Sequence, residues 1–152
     1  MKYGWTTDQA EWASLPQSVV SGKWSSVKFF IGSSNSIPNT QGVYMFCAYA
    51  PKNVFTFSTV PDHPLMRIST PVYVGRSNNL RRRFKEHFNT DNDTLKKIIS
   101  CYTYTLEFLF LRLDCDIEEL KSIEDSLIRS FGPMGNNRVE IKGTIGDGIP
   151  VC

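Results

Sequence analysis

The chain has 152 residues, a formal net charge of +2, 41% hydrophobic residues and 12% aromatics. That length suits one domain and the apolar content can fill one core, which excludes a largely disordered chain. No apolar run reaches the roughly 18–20 residues of a membrane span, and the first residues, MKYGWTTDQAEW, are polar, so a cytoplasmic protein is expected. Four cysteines (Cys47, Cys101, Cys115, Cys152) have neither a close pair nor zinc-site spacing and read as buried or incidental thiols.

In chain order, residues 1–36 carry Trp5, Trp12 and Trp24 and read as an N-terminal extension, with a short helix over Asp8–Leu15 and a strand over Val27–Ile31. Gly32–Thr40 is a loop by its turn residues. Val43–Tyr49 is short, β-branched and aromatic and predicts a buried strand. Residues 50–70 hold Pro51, Pro61 and Pro64 and read as an excursion, with an extra strand suggested at Val54–Phe57. Thr70–Gly75 predicts a strand antiparallel to Val43–Tyr49. Asn78–Phe88 predicts a helix capped by Ser77 or Asn78, and Thr94–Cys101 another capped by Asp93. Tyr104–Leu113 predicts a strand. Asp116–Phe131 predicts the longest helix, opened by Asp116 with Glu119 and stopped by Gly132 and Pro133. Residues 138–152 read as a tail. The class is mixed α/β (α+β) with a small, mainly antiparallel sheet.

Three features carry chemistry. On the last helix, Ile117, Leu120, Leu127, Ile128 and Phe131 share one face, and Glu124 falls in its middle. A buried charge is costly unless paired or bound to metal. It reads either as a metal ligand or as a marginal glutamate paired to an arginine. Read as a poorly paired inward carboxylate, it should be removable without loss of the fold. On the earlier helix, Arg83 and His87 lie four apart along the flank of a Leu80–Phe84–Phe88 stripe. They can hold a phosphate and manage a proton, or serve as a packed stem and a helix-end cap. Third, seven of the 17 Lys and Arg lie between Arg76 and Lys97, against three acids there. This is either a phosphate footprint or a solvated helix face.

Together these pieces resemble the GIY-YIG nuclease superfamily. The first signature is Gly42-Val43-Tyr44 after Pro38; the second is Tyr73-Val74-Gly75-Arg76-Ser77, followed by Leu80 and by Arg83 through Phe88. Glu124 with Leu127 and Ile128 matches the family's late glutamate pattern, and Asn136, with Asn137 as alternative, its asparagine. The resemblance spans residues 37–137. It implies a three-stranded antiparallel sheet flanked by helices and one-metal hydrolysis of phosphodiester bonds in DNA. Glu124 would hold Mg²⁺ or Mn²⁺. Tyr44 would be the general base, with His87 taking its proton, although the roles of the two tyrosines can be exchanged. Arg83 would stabilise the phosphate, Tyr73 would orient water or phosphate, and Asn136 would brace the site. Arg76, Arg81, Arg82, Lys85, Lys96 and Lys97 would contact the DNA backbone. One site per chain implies a monomer that nicks or a homodimer on DNA. Two other outcomes remain: a sequence-specific restriction-type endonuclease, or a catalytically silent nucleic-acid-binding module. The chain departs from the family in its spacing: 28 residues separate Tyr44 from Tyr73, far more than usual, so residues 50–70 must loop out.

Overall fold

Two strands rich in β-branched and aromatic residues organise the computed structural model, which describes residues 9–49, 69–102 and 105–136. They are β2 (Gly42–Tyr49) and β3 (Ser69–Ser77), paired antiparallel with Tyr44 opposite Gly75. β4 (Leu106–Arg112) pairs antiparallel with the other edge of β2, and β1 (Ser25–Lys28) with β4. The sheet order is β1-β4-β2-β3. It therefore has four strands rather than three, because the N-terminal segment adds an edge strand. That strand starts two residues before the predicted one, and the chain from Ile31 to Ser36 turns as a 3₁₀ helix instead. β3 borders the described sheet, which accommodates Pro71: a residue without an N–H fits where no partner needs one. Opposite it the register shifts between Phe46 and Cys47.

Alternation along the strands gives the sheet two apolar faces. Val43, Met45, Cys47, Val74, Leu109 and Leu111 pack on α5 (Ile117–Phe131), joined by Leu15 and Val19. Tyr44, Phe46, Val72 and Phe108 pack on Leu80 and Phe84 of α3 (Leu80–Glu86) and on Leu95 and Ile98 of α4 (Asp93–Cys101). The N-terminal segment supplies α1 (Gln9–Ser14) and α2 (Gln17–Val20), the latter not anticipated from the sequence. Trp12 meets Phe131 edge-on at 5.5 Å, and Arg129 reaches Glu11 at 2.8 Å, fastening α1 to α5. The boundary expected at residue 36 thus falls between β1 and β2, two strands of one sheet. Cys47 and Cys115 are free thiols, whereas Cys101 is disulfide-bonded, which corrects the reading of every cysteine as a thiol. The suggested strand at Val54–Phe57, most of the 50–70 excursion, Asn137 and the 138–152 tail lie outside the described residues.

Helix ends follow side-chain capping, with shifts of one or two residues from expectation. β3 continues to Ser77, so the α3 cap moves to Asn79, whose side chain accepts from the Arg82 N–H at 2.9 Å. Asn92, not Asp93, caps α4. Asp116 accepts from the Glu119 N–H at 2.8 Å. Gly132 ends α5 at φ 53°, a left-handed conformation that glycine adopts freely. The buried stripe of α5 is Leu120, Ile123, Glu124, Leu127, Ile128 and Phe131. Ile117, expected in that stripe, is 66% exposed, because the first turn projects beyond the core. Ile123→Ala should therefore cost about 2–5 kcal/mol in urea unfolding, whereas Ile117→Ala should change stability by less than about 1 kcal/mol. Equal costs would mean that another face of α5 is buried.

Candidate active site

The two tripeptides meet because β2 and β3 pair. The Tyr44 ring lies across Gly75, where a Cβ would overlap the Tyr44 hydroxyl. Gly75 therefore makes room for the phenol. Tyr73 stacks beside it, ring centroids 6.2 Å apart. The Tyr44 hydroxyl and His87 Nε2 are 2.7 Å apart in a buried contact. His87 was expected on the last turn of a helix running to Phe88. Instead α3 ends at Glu86, and residues 87–89 form a 3₁₀ turn that carries the imidazole under the sheet.

Burial sets the protonation of this pair. Tyr44 is held well above the ordinary phenol range, first by burial, then by Tyr73 and by Glu124; Arg83 pulls the other way. His87 is lowered to about 4 by burial and by the Arg83 guanidinium. Both shifts favour the uncharged form, so the pair is a neutral phenol and a neutral imidazole. The protein alone does not ionise Tyr44.

A cleft of about 200 Å³ is lined by Tyr44, Tyr73, Gly75, Arg76, Arg83 and Glu124. Its phenols lie on one face of the sheet, while Glu124 approaches from the α5 face. Glu124 is 6% exposed and accepts from Arg76 Nε at 2.9 Å. It is therefore paired. The reading of a poorly paired carboxylate is corrected, and the alternative of an arginine partner holds in the free protein. Strand alternation carries the signal that identifies this partner: Val74 packs toward α5, so residue 76, two further on, faces α5 as well. Arg83 reaches Glu86 at 3.0 Å through Nη1, an exposed pair of small energetic weight, while its buried Nε has no hydrogen-bond partner among the described residues. An unsatisfied donor lining a polar cleft suits an anionic oxygen.

Asn136 stands at the outer edge of β3. Its Oδ1 accepts from Val74 N–H and its Nδ2 donates to Val74 O, each at 2.8 Å. With the Gly135 N–H on Val72 O at 2.7 Å, the turn after α5 fastens the strand that carries Tyr73. Asn136 thus supports the cleft without lining it. Among the remaining basic residues, Arg81 binds Ile37 O at 2.6 Å and Asn35 O at 3.3 Å, holding α3 to the preceding turn. Arg82 contacts Asn78 and Glu86 at the surface. Lys85 and Lys97 are exposed. Lys96 stands 4.0 Å from Asp93 and lines a second, open groove of about 470 Å³ that His87 also borders.

Among the described residues no three His, Cys, Asp or Glu side chains gather, and no helix is long and apolar enough to cross a membrane. The cleft offers a cation one carboxylate in polar surroundings. That donor set fits a hard divalent ion that keeps most of its waters, such as Mg²⁺, rather than one needing a full protein cage.

This sheet, with two phenols, a guanidinium and a late-helix glutamate around one cleft, resembles the GIY-YIG pattern read from the sequence. The model of the GIY-YIG catalytic domain matches residues 65–137, so that part of the chain is similar to this domain. The matched stretch begins after Tyr44, which joins it through the β2–β3 pairing. The chain is 36% identical over 86 residues to UvrABC system protein C from Prochlorococcus marinus; the match takes in 51% of this chain but spans only 13% of that relative. Among solved structures it is similar to the GIY-YIG N-terminal endonuclease domain of UvrC from Thermotoga maritima. A point mutant bound to its catalytic divalent cation matches at 19% identity and TM-score 0.44, over 70% of this chain and 93% of that one. The magnesium-bound form matches at 19% and 0.43, over 69% and 92%.

The His87 imidazole makes stability depend on pH. Its folded pKa of about 4 lies below the ordinary 6.5, so the unfolded chain binds the proton first as pH falls. The stability is complete above about pH 6.5, drains away between 6.5 and 4, and levels off below. Between pH 7 and 4.5 this residue should contribute a loss of about 2 kcal/mol. Urea unfolding at both pH values should show a correspondingly shallower pH dependence in His87→Gln; an identical dependence would mean that His87 titrates normally.

Proposed function

We propose that the chain is a metal-dependent DNA endonuclease that hydrolyses phosphodiester bonds with a single divalent ion, Mg²⁺ or Mn²⁺. The observation that carries this reading is the convergence of Tyr44, Tyr73, Arg83 and Glu124 on one polar cleft. The GIY-YIG match over residues 65–137 supports the reaction class. Residues 37–137 would form the nuclease domain, with 1–36 and 138–152 as additions to it. A DNA substrate suits a cytoplasmic protein, acting as a monomer or as a homodimer on DNA.

Glu124 would hold the ion, which when bound supplies Lewis-acid stabilisation of the leaving oxygen. The chain's own residues do the rest. Arg83 would bind a non-bridging phosphate oxygen, whose negative charge grows as the attacking water adds. Tyr44 would take the water's proton while passing its own to His87 Nε2, across the 2.7 Å contact already in place. This relay needs the His87 tautomer protonated on Nδ1, leaving Nε2 as acceptor. It also needs positive charge near the phenol. Arg83 provides some, and neutralising Glu124 removes an opposing influence. Tyr73, beside Tyr44, would orient the water or the phosphate. Asn136 would keep β3 in place. Arg82, Lys85, Lys96 and Lys97 would meet more distant phosphates, with affinity falling steeply as salt rises.

Nicking of supercoiled plasmid tests this. The protein should nick in Mg²⁺ and stop in EDTA. Glu124→Gln, which keeps an acceptor for Arg76, should lower the rate by at least about 100-fold, as should Arg83→Ala and Tyr44→Phe, with DNA binding changed only modestly. Glu124→Gln cutting at the wild-type rate would remove the basis of the assignment. DNA binding without any nicking would favour the silent nucleic-acid-binding module. Cut ends at one fixed sequence would favour the restriction-type enzyme.

A further inference from the structure

We infer that Arg76 is a positioning residue that couples loading of the divalent ion to arrival of the DNA. This inference rests on the reading of Glu124 as the metal-holding carboxylate. Among the described residues that line the cleft, Glu124 is the sole acid, and Arg76 Nε stands 2.9 Å from its Oε2. The two side chains differ in freedom: the Glu124 side chain is 7% exposed and that of Arg76 33%. The carboxylate lies on the buried face of α5, whereas a third of the Arg76 side chain is open to solvent.

The consequence is a competition. A cation binding Glu124 must share or displace the guanidinium, so the free protein should hold it weakly. Mg²⁺ and Mn²⁺ are commonly completed by phosphate oxygens of the substrate. A phosphodiester entering the cleft offers Arg76 an alternative anionic partner, and guanidinium pairs with phosphate as readily as with carboxylate. Moving Arg76 from Glu124 to phosphate frees the carboxylate for the ion at the moment the substrate arrives. Reciprocity then requires that the ion tighten DNA binding by the same factor. The register makes this exchange local. Arg76 follows Gly75 directly on β3 and lines the same cleft as Tyr44 and Tyr73, so a phosphate bound in that cleft is within its reach.

Mn²⁺ binding, read from the loss of the free-ion paramagnetic resonance signal, tests the coupling without using activity. Without DNA, Arg76→Ala should bind Mn²⁺ at least tenfold more tightly than wild type, Arg76→Lys should stay near wild type, and Glu124→Gln should bind tenfold or more weakly. With a short DNA duplex, in a Tyr44→Phe background to slow cutting, the chain with Arg76 should gain affinity and the one with Arg76→Ala should not. Equal Mn²⁺ affinity in wild type and Arg76→Ala, with Glu124→Gln still impaired, overturns the coupling and leaves the metal site standing. An advantage of Arg76→Ala that persists unchanged on DNA also overturns it, since removal of a nearby positive charge then explains the effect. Glu124→Gln binding Mn²⁺ like wild type overturns the metal site and the coupling together.

Discussion

The antiparallel register of β2 on β3 is the constraint on which the site depends. It sets Tyr44 opposite Gly75, and the missing side chain at Gly75 is what lets the phenol lie across the strand. A slip of one residue would turn Tyr44 to the α5 face and present Val43 instead. Two devices hold the register: the apolar pattern of both strands, and the Asn136 amide, which bonds both backbone groups of Val74. The turn after the last helix therefore fixes the strand that carries the second tyrosine. Residues more than sixty positions apart act on one local geometry.

Burial then decides what the assembled groups can do. Tyr44 is 2% exposed and His87 6%, and this dry setting penalises the charged form of each. The hydrogen bond between them is accordingly a neutral one, poised for transfer rather than transferred. Arg83 and Glu124 act on the phenol in opposite senses. Any event that cancels the carboxylate's charge shifts the phenol toward ionisation. On the proposed reading of Tyr44 as general base, charge brought in from outside would switch the site, and no strong base stands ready in the free protein.

Much of this was legible in the chain. Strand pattern, capping residues and the Gly132-Pro133 stop located β2, β3, α4 and α5 to within a few residues, because local chemistry controls those features. Glu124 stood out because a carboxylate in an apolar stripe is expensive. What escaped was tertiary. Ile117 satisfies the helical period but lies on a turn with nothing to pack against. Arg81 looked like one more surface cation, yet its guanidinium binds Ile37 O and Asn35 O, contacts across more than forty residues that periodicity does not encode. The fourth strand arises because Ser25–Lys28, a polar segment, borrows its order from β4. Even His87 was placed on the right flank for an incomplete reason, since the 3₁₀ turn at the end of α3 sets its final position.

The charge balance of the cleft joins these observations. Arg76 and Arg83 bring two positive charges, Glu124 one negative, and Tyr44 and His87 none at neutral pH. The site is thus net positive while its carboxylate is ionised, and it attracts an anion before it attracts a cation. A divalent ion entering alone would meet two guanidiniums and one shared acid, an unfavourable start. A phosphodiester entering first would neutralise that excess. On the proposed reading of Glu124 as the ion's carboxylate, electrostatics therefore favours an order in which the anion precedes the metal.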